Sequence, residues 1–197
     1  MYDWRKMTRA ERTRVLVDRR AAKHPRHSPF HIQAEQVSWY HITAACYEHR
    51  PMIGHSSDRL SFFSRALLDV MPCGDIRAWV VLPNHYHVLL STPDILSMLN
   101  RLGQLHGRTS FLWNVEDESR GRKVWFRAAE TAMKSERHVS VTMNYIHNNP
   151  VKHGFCKKWQ DWPYSSARMW LEKVGHDEAE RFWHEYPVRN YGNDWDI

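Results

Sequence analysis

Apolar and polar positions alternate along the chain in two periods, one suited to strands and one to helices. The run VSWYHITAACY (37–47) is rich in β-branched and aromatic residues, which predicts a strand. SSDRLSFFSRALLDVM (56–71) places apolar residues at 60, 63, 67, 68 and 71, a helical period. DIRAWVVL (75–82) predicts a second strand. Pro83-Asn84 breaks it, and HYHVLLS (85–91) continues as the other arm of a hairpin. ILSMLNRLGQLHGRTSFLW (95–113) follows Asp94, a good N-cap, and its positions 95, 98, 99, 102, 105 and 112 form one stripe. After the charged loop EDESRGRK, VWFRAA (124–129) predicts a strand. SERHVSVTMNYIHNN (135–149) reads as a helix with 139, 143 and 146 facing inward, stopped by Pro150. PYSSARMWLEKVG (163–175) reads as a short helix capped by Ser165 or Ser166 and ended by Gly175.

The resulting order, β-α-β-β-α-β followed by helices, predicts an α+β fold. It is the ferredoxin-like split βαβ arrangement, an antiparallel sheet with two helices on one face, leaving the other face free. Additional C-terminal helices and a basic N-terminal arm flank it. Within that arm TRAERTRVLVDRRAAK (8–23) reads as a helix with Thr8 as N-cap, and HPRHSPFH as a linker. The expected organisation is an arm and linker at 1–32, a central domain at 33–175 and a tail at 176–197.

Charge sharpens that division. The formal net charge is +6 and the sequence pI is near 9.3. Residues 1–30 carry nine Lys/Arg against three Asp/Glu, whereas 176–197 carry two against six. A basic arm, a mildly basic body and an acidic tail suit a polyanionic partner. The three cysteines, Cys46, Cys73 and Cys156, are scattered, so neither a disulfide framework nor a structural zinc site is expected. No secretory signal and no stretch of about 18 apolar residues is visible, which leads to the expectation of a cytoplasmic, nucleoid-associated protein with no membrane contact.

Two groups of residues could carry chemistry. In Leu82-Pro83-Asn84-His85-Tyr86-His87-Val88 a strand would send His85 and His87 to one face and Tyr86 and Val88 to the other. Two imidazoles so placed can bind one cation, or be polar residues on a solvated face. In Tyr145-Ile146-His147-Asn148-Asn149-Pro150 a helix would put Tyr145 and Asn149 one turn apart, with His138 and Thr142 on the same side. The phenol of Tyr145 could attack phosphorus once deprotonated, or be a core residue with its hydroxyl at the rim. An amide oxygen from Asn149 could complete a metal site on His85 and His87.

At these residues the sequence resembles the REP-associated tyrosine transposases, among the HUH single-tyrosine transposases. The matching segments run from about Val37 to Ala167: WYHITAACYEHRP, AWVVLPNHYHVLL, a helix ending FLWN, GRKVWFRA, YIHNNPVKHGF and WPYSSA. PNHYH followed downstream by YIHNNPVKHG is the specific part. The resemblance implies a ferredoxin-like fold and metal-dependent cleavage of single-stranded or hairpin DNA through a 5′-phosphotyrosyl intermediate. It implies His85 and His87 as the ligand pair, Asn149 as an amide third ligand, Tyr145 as nucleophile and Mg2+ or Mn2+ as cofactor. The stretch WFRAAETAM departs from the family in having two alanines where aromatic and Arg residues are common.

DNA would lie along Arg101, Gln104 and Arg108 on the long helix, Arg120, Arg122 and Lys123 in the loop, and Arg127 on the next strand. Trp113, Trp125 and Trp162 could stack on unpaired bases or fill the core. Two other classes stay open from the residues alone. One is a non-catalytic hairpin DNA- or RNA-binding module. The other is a nuclease using water, with Tyr145 only packing. A monomer and a homodimer with the tyrosine supplied in trans are both compatible with the sequence.

Overall fold

The computed structural model describes residues 38–71 and 75–192, together with residues 8 and 10. The predicted arm helix at 8–23 and its linker otherwise lie outside the described residues. Glu35–Tyr191 form one compact unit.

Strand β1 (Ser38–Ala45) leads into helix α1 (Ser57–Asp69), then strands β2 (Ile76–Val81) and β3 (His85–Thr92), helix α2 (Ile95–Glu116) and strand β4 (Ala129–Ala132). Helices α3 (Glu136–Lys152), α4 (Ala167–Val174) and α5 (His176–Glu185) follow. The sheet order is β2-β3-β1-β4 with every neighbouring pair antiparallel, which is the predicted split βαβ topology. Local signals fix the helix starts: Ser56 accepts from the amide of Arg59, Asp94 from that of Ser97, and Ser135 from that of His138.

Alternation along the central strands divides the core in two. Tyr40, Ile42 and Ala44 of β1 and Tyr86, Val88 and Leu90 of β3 pack under α1 and α2, around Phe63, Leu102, Trp113 and Trp125. Ala78, Val80 and Leu89 face the other way and pack against Val139, Met143, Tyr145 and Ile146 of α3. The second sheet face is therefore covered, not free as the element order suggested. A sheet buried on one side only would leave those apolar positions in water, and α3 removes them from it.

Four further differences have local causes. The strand expected at 124–129 forms instead at Ala129–Ala132 and shares only Ala129 with that range. Val124 and Trp125 are both buried, which breaks alternation, and the segment instead lines the end of β1 through Tyr47 N to Val124 O (2.7 Å) and Phe126 N to Ala45 O (2.9 Å). Pro150 does not stop α3, which runs to Lys152. Proline removes one helical donor, but here it lies in the last turn, is buried, and accepts from the amide of Phe155. Residues 164–166 run beside β2 ahead of α4, with Val81 N donating to Tyr164 O and Ser166 N to Trp79 O. That segment covers an otherwise open sheet edge. The acidic segment after 175 contains α5, tied down by Asn144 Nδ2 donating to Tyr186 O at 2.9 Å.

Among the described residues no helix is long and apolar enough to cross a membrane.

Candidate metal and tyrosine site

The two histidines of the PNHYH segment open β3 and are buried on the face covered by α3. Their rings stand 5.1 Å apart, nearly perpendicular. The first turn of this arrangement is set from outside the strand. Gly54 donates its amide to Pro83 O at 2.9 Å, and a Cβ at Gly54 would lie 2.4 Å from Pro83 Cβ. Only glycine permits that approach, so Gly54 seats the Pro83-Asn84 turn.

Asn84 then fixes the tautomer of His85. Its Nδ2 donates to His49 O at 3.2 Å, which turns its Oδ1 toward Nδ1 of His85 at 2.7 Å. Nδ1 must carry the ring proton to make that bond, so Nε2 of neutral His85 presents a lone pair. It faces Oδ1 of Asn149, 3.1 Å away, in the last turn of α3. Two acceptors at that distance repel unless positive charge joins them, from a ring proton or a bound cation. The gap also matches the roughly 3 Å edge of an octahedron with bonds of about 2.1 Å. The donor set of two imidazoles and an amide oxygen therefore fits a divalent cation. Among the described residues no three His, Cys, Asp or Glu side chains converge into a metal cage.

His87 is oriented by a residue the sequence reading did not single out. Nε2 of His41, buried on β1, lies 3.0 Å from Nδ1 of His87. His41 pairs in register with Leu89 and is the diagonal neighbour of His87, which pairs with Thr43. With Nδ1 of His87 donating to His41, its Nε2 is turned into the site. Each candidate ligand thus has its other nitrogen held by a second residue, the arrangement that orients histidine ligands in metal sites.

Tyr145 joins this group. Its ring meets His87 edge-on at 5.3 Å and His41 at 6.1 Å. The side chain is only 1% exposed. Tyr191 lies across it at 5.7 Å, held by His138 Nε2 at 2.8 Å and by Thr142 Oγ1 at 2.6 Å. The ammonium of Lys152 stands 5.1 Å from the Tyr145 ring centroid. His153 packs on His85 at 5.0 Å. All four residues named from the sequence for this chemistry, His85, His87, Tyr145 and Asn149, are therefore in one place. Asn84 lies inside the quoted segment, but His41 needed the β1–β3 register to be found.

The residues expected along DNA are spread more widely. Arg101, Gln104 and Arg108 are exposed on α2, the layer on the opposite side of the sheet from Tyr145. Arg120, Lys123 and Arg127 are exposed in the segment leading round to the site end of β1. Arg122 is engaged in structure: it contacts Asn114 Oδ1 at 3.0 Å and Asp117 at 2.7 Å. Trp113 and Trp125 are core residues, and Trp162 is half-buried with its Nε1 donating to Val81 O at 2.9 Å.

With that geometry in hand, comparison with known proteins adds a class. The architecture is similar to that of a solved REP-associated tyrosine transposase bound to a REP hairpin, with a TM-score of 0.55 at 22% identity, covering 82% of this chain and 89% of that one. No family model matches the chain. In sequence it is similar to the REP-associated tyrosine transposase of Escherichia coli, 32% identical over 96 residues, which are 47% of this chain and 53% of that protein. A protein of Haemophilus influenzae described as a putative REP-associated tyrosine transposase is 31% identical over 98 residues, 44% of this chain and 54% of the relative. The chain thus spans about half the length of the curated relatives it matches. The resemblance carried by PNHYH and YIHNNPVKHG is borne out by these similarities.

Proposed function

We propose that this chain cleaves and rejoins single-stranded DNA at hairpin sequences, with Tyr145 as nucleophile and Mg2+ or Mn2+ held by His85, His87 and Asn149. The observation that carries the reading is the convergence of two imidazoles, an amide oxygen and a phenol, with Nε2 of His85 and Oδ1 of Asn149 3.1 Å apart. A bound divalent ion would polarise a non-bridging phosphate oxygen and neutralise charge developing on it. The phenolate oxygen of Tyr145 forms a bond to phosphorus, and the 3′ oxygen departs and takes up a proton. The product is a 5′-phosphotyrosyl linkage and a free 3′-hydroxyl. Rejoining reverses the exchange: a 3′-hydroxyl attacks phosphorus, and the tyrosyl oxygen leaves. No carboxylate in the quoted segments is placed as a base, and the free phenol has a pKa near 10. Arg101, Gln104, Arg108, Arg120, Lys123 and Arg127 are the proposed DNA contacts, positioning the phosphate backbone, whereas Arg122 is held by Asn114 and Asp117.

Burial of Tyr145 favours one competing reading, a hairpin-binding module in which the ring only packs. The two separate on one gel. Wild-type protein incubated with hairpin DNA bearing single-stranded flanks and Mn2+ is expected to give an SDS-resistant adduct. Tyr145→Phe is expected to bind and give none. Binding without an adduct in wild type would favour the module. Cleavage by Tyr145→Phe would place the chain among nucleases using water.

A further inference from the structure

Beside the candidate ligands, at the same end of β1 and β3, lies a cluster the catalytic reading does not use. Tyr47 and Phe126 are half-buried with ring centroids 5.0 Å apart and planes 45° apart. The ammonium of exposed Lys123 stands 4.6 Å from the Tyr47 centroid and 5.4 Å from that of Phe126. His49 flanks Phe126 at 6.3 Å.

This cluster is coupled to the site by short bonds. Tyr47 N donates to Val124 O, which draws the 122–127 segment against it, and Cys46 N donates to Asn84 O at 2.7 Å. The carbonyl of His49 receives Asn84 Nδ2, and Asn84 in turn holds His85. Glu48 and His49 both have positive φ, 58° and 50°. Non-glycine residues rarely adopt that region, and such conformations persist where surrounding contacts hold them. Here they aim a carbonyl at Asn84 while leaving Tyr47 facing outward beside Phe126.

The charge around the rings selects the occupant. The segment 120–128 carries four basic residues and no acidic one. Across from it, Glu48 is paired with Arg50 at 2.8 Å. Partly exposed rings with interleaved cations suit an unpaired nucleotide, whose base stacks and whose phosphate meets the cation. Duplex DNA offers its phosphates but keeps its base faces stacked away from such rings.

We propose that Tyr47, Phe126 and Lys123 form a subsite for an unpaired nucleotide of single-stranded DNA next to the scissile phosphate. The base lies against the Tyr47–Phe126 pair, and the Lys123 ammonium moves on its flexible stem from the rings to the nucleotide's phosphate. The subsite rests on the proposed reading of His85, His87 and Tyr145 for its role, because it fixes which nucleotide reaches them.

The test uses the full chain and oligothymidylate twelve nucleotides long carrying one 5-iododeoxyuridine, irradiated and mapped by mass spectrometry. The expected crosslink falls on Tyr47 or Phe126 in the wild type, with no variant required. Anisotropy titrations of the unsubstituted oligomer complement it. Tyr47→Ala and Phe126→Ala are expected to weaken binding on the order of tenfold, as loss of one stacked base does. Tyr47→Phe is expected to leave it within twofold, and Lys123→Gln to flatten its salt dependence. Crosslinks solely elsewhere, or alanine variants within twofold of wild type, would overturn the subsite. Tighter binding of oligouridylate RNA would overturn its assignment to DNA. A wild type that crosslinks at Tyr47 or Phe126 but forms no tyrosyl adduct leaves the subsite standing and removes the catalytic reading. The reverse outcome removes the subsite alone.

Discussion

Nε2 of His41 lies 3.0 Å from Nδ1 of His87, across neighbouring strands and out of water. The contact pairs the N–H of one ring with the lone pair of the other, and with Nδ1 of His87 as the donor its Nε2 is left facing the site. His41 is a positioning residue in this account, because it acts on the site through His87. His41→Phe is expected to weaken Mn2+ binding, read by the electron paramagnetic resonance signal of free Mn2+, by about 10- to 100-fold. His41→Gln, which can still accept a hydrogen bond, is expected to restore part of it. Hairpin binding without metal should stay unchanged in both. Equal Mn2+ affinity in His41→Phe and wild type would remove the positioning role.

Gly54 gives a prediction from sterics alone. A methyl group there would meet Pro83 Cβ at 2.4 Å and Pro83 Cα at 2.8 Å, so backbone has to move. Gly54→Ala is expected to destabilise the fold by roughly 2 kcal/mol, in the range for overpacked sites. Because Pro83 precedes Asn84, the same variant should also weaken Mn2+ binding. Denaturant melts and metal titrations check the two effects separately.

His106 sets an acid limit on stability. Its ring stacks on Trp125 with centroids 4.3 Å apart and bonds the Tyr86 hydroxyl at 3.2 Å. Burial lowers its pKa from 6.5 to about 4. The unfolded chain therefore binds a proton at His106 that the folded chain refuses between those values. Its contribution is complete above pH 6.5 and is lost as pH falls toward 4, on the order of 3 kcal/mol in all. Burial of His147, lowered to about 3, acts in the same direction. His106→Gln should lose less stability than wild type between pH 6.5 and 4 in urea melts, and parallel curves would contradict this assignment.

Arg59 ties α1 to the end of α2. Its guanidinium contacts Glu116 at 2.8 Å and both carboxylate oxygens of Asp117, and it stands 5.7 Å from the Trp113 ring centroid. The side chains of Arg59 and Asp117 are 8% and 15% exposed. The hydrogen bond to Arg59, seconded by Arg122, holds the Asp117 carboxyl down at about 2. Removing Arg59 leaves the Asp117 carboxylate with Arg122 as its remaining cationic partner, so Arg59→Ala is expected to cost about 2 kcal/mol. Arg59→Ala combined with Asp117→Asn should cost less than the two changes summed, which a double-mutant cycle measures.

Three of the four strands were legible from the chain because the runs at 38–45, 76–81 and 85–92 are rich in β-branched and aromatic residues. The helix starts were legible because Ser56, Asp94 and Ser135 each cap through their own side chains. What escaped was set by tertiary contact. Trp125 leaves the strand pattern to stack on His106, and Pro150 stays helical because its turn is buried. Likewise His85 and Tyr145 could be named from local segments, whereas His41 depends on strand register. The stacking candidates Tyr47 and Phe126 lie 79 positions apart in sequence and meet only after β1 and the 122–127 segment pair.

The central claim is that Tyr145 becomes covalently bonded to a 5′ phosphate beside the two imidazoles. Its most direct measurement is tryptic mapping of the adduct formed with hairpin DNA labelled on the fragment 3′ of the cut. Label on the 138–152 peptide, whose sole tyrosine is Tyr145, is the predicted result, absent in His85→Ala or His87→Ala. Label on any other peptide, or cleavage in wild type with label on none, would contradict it.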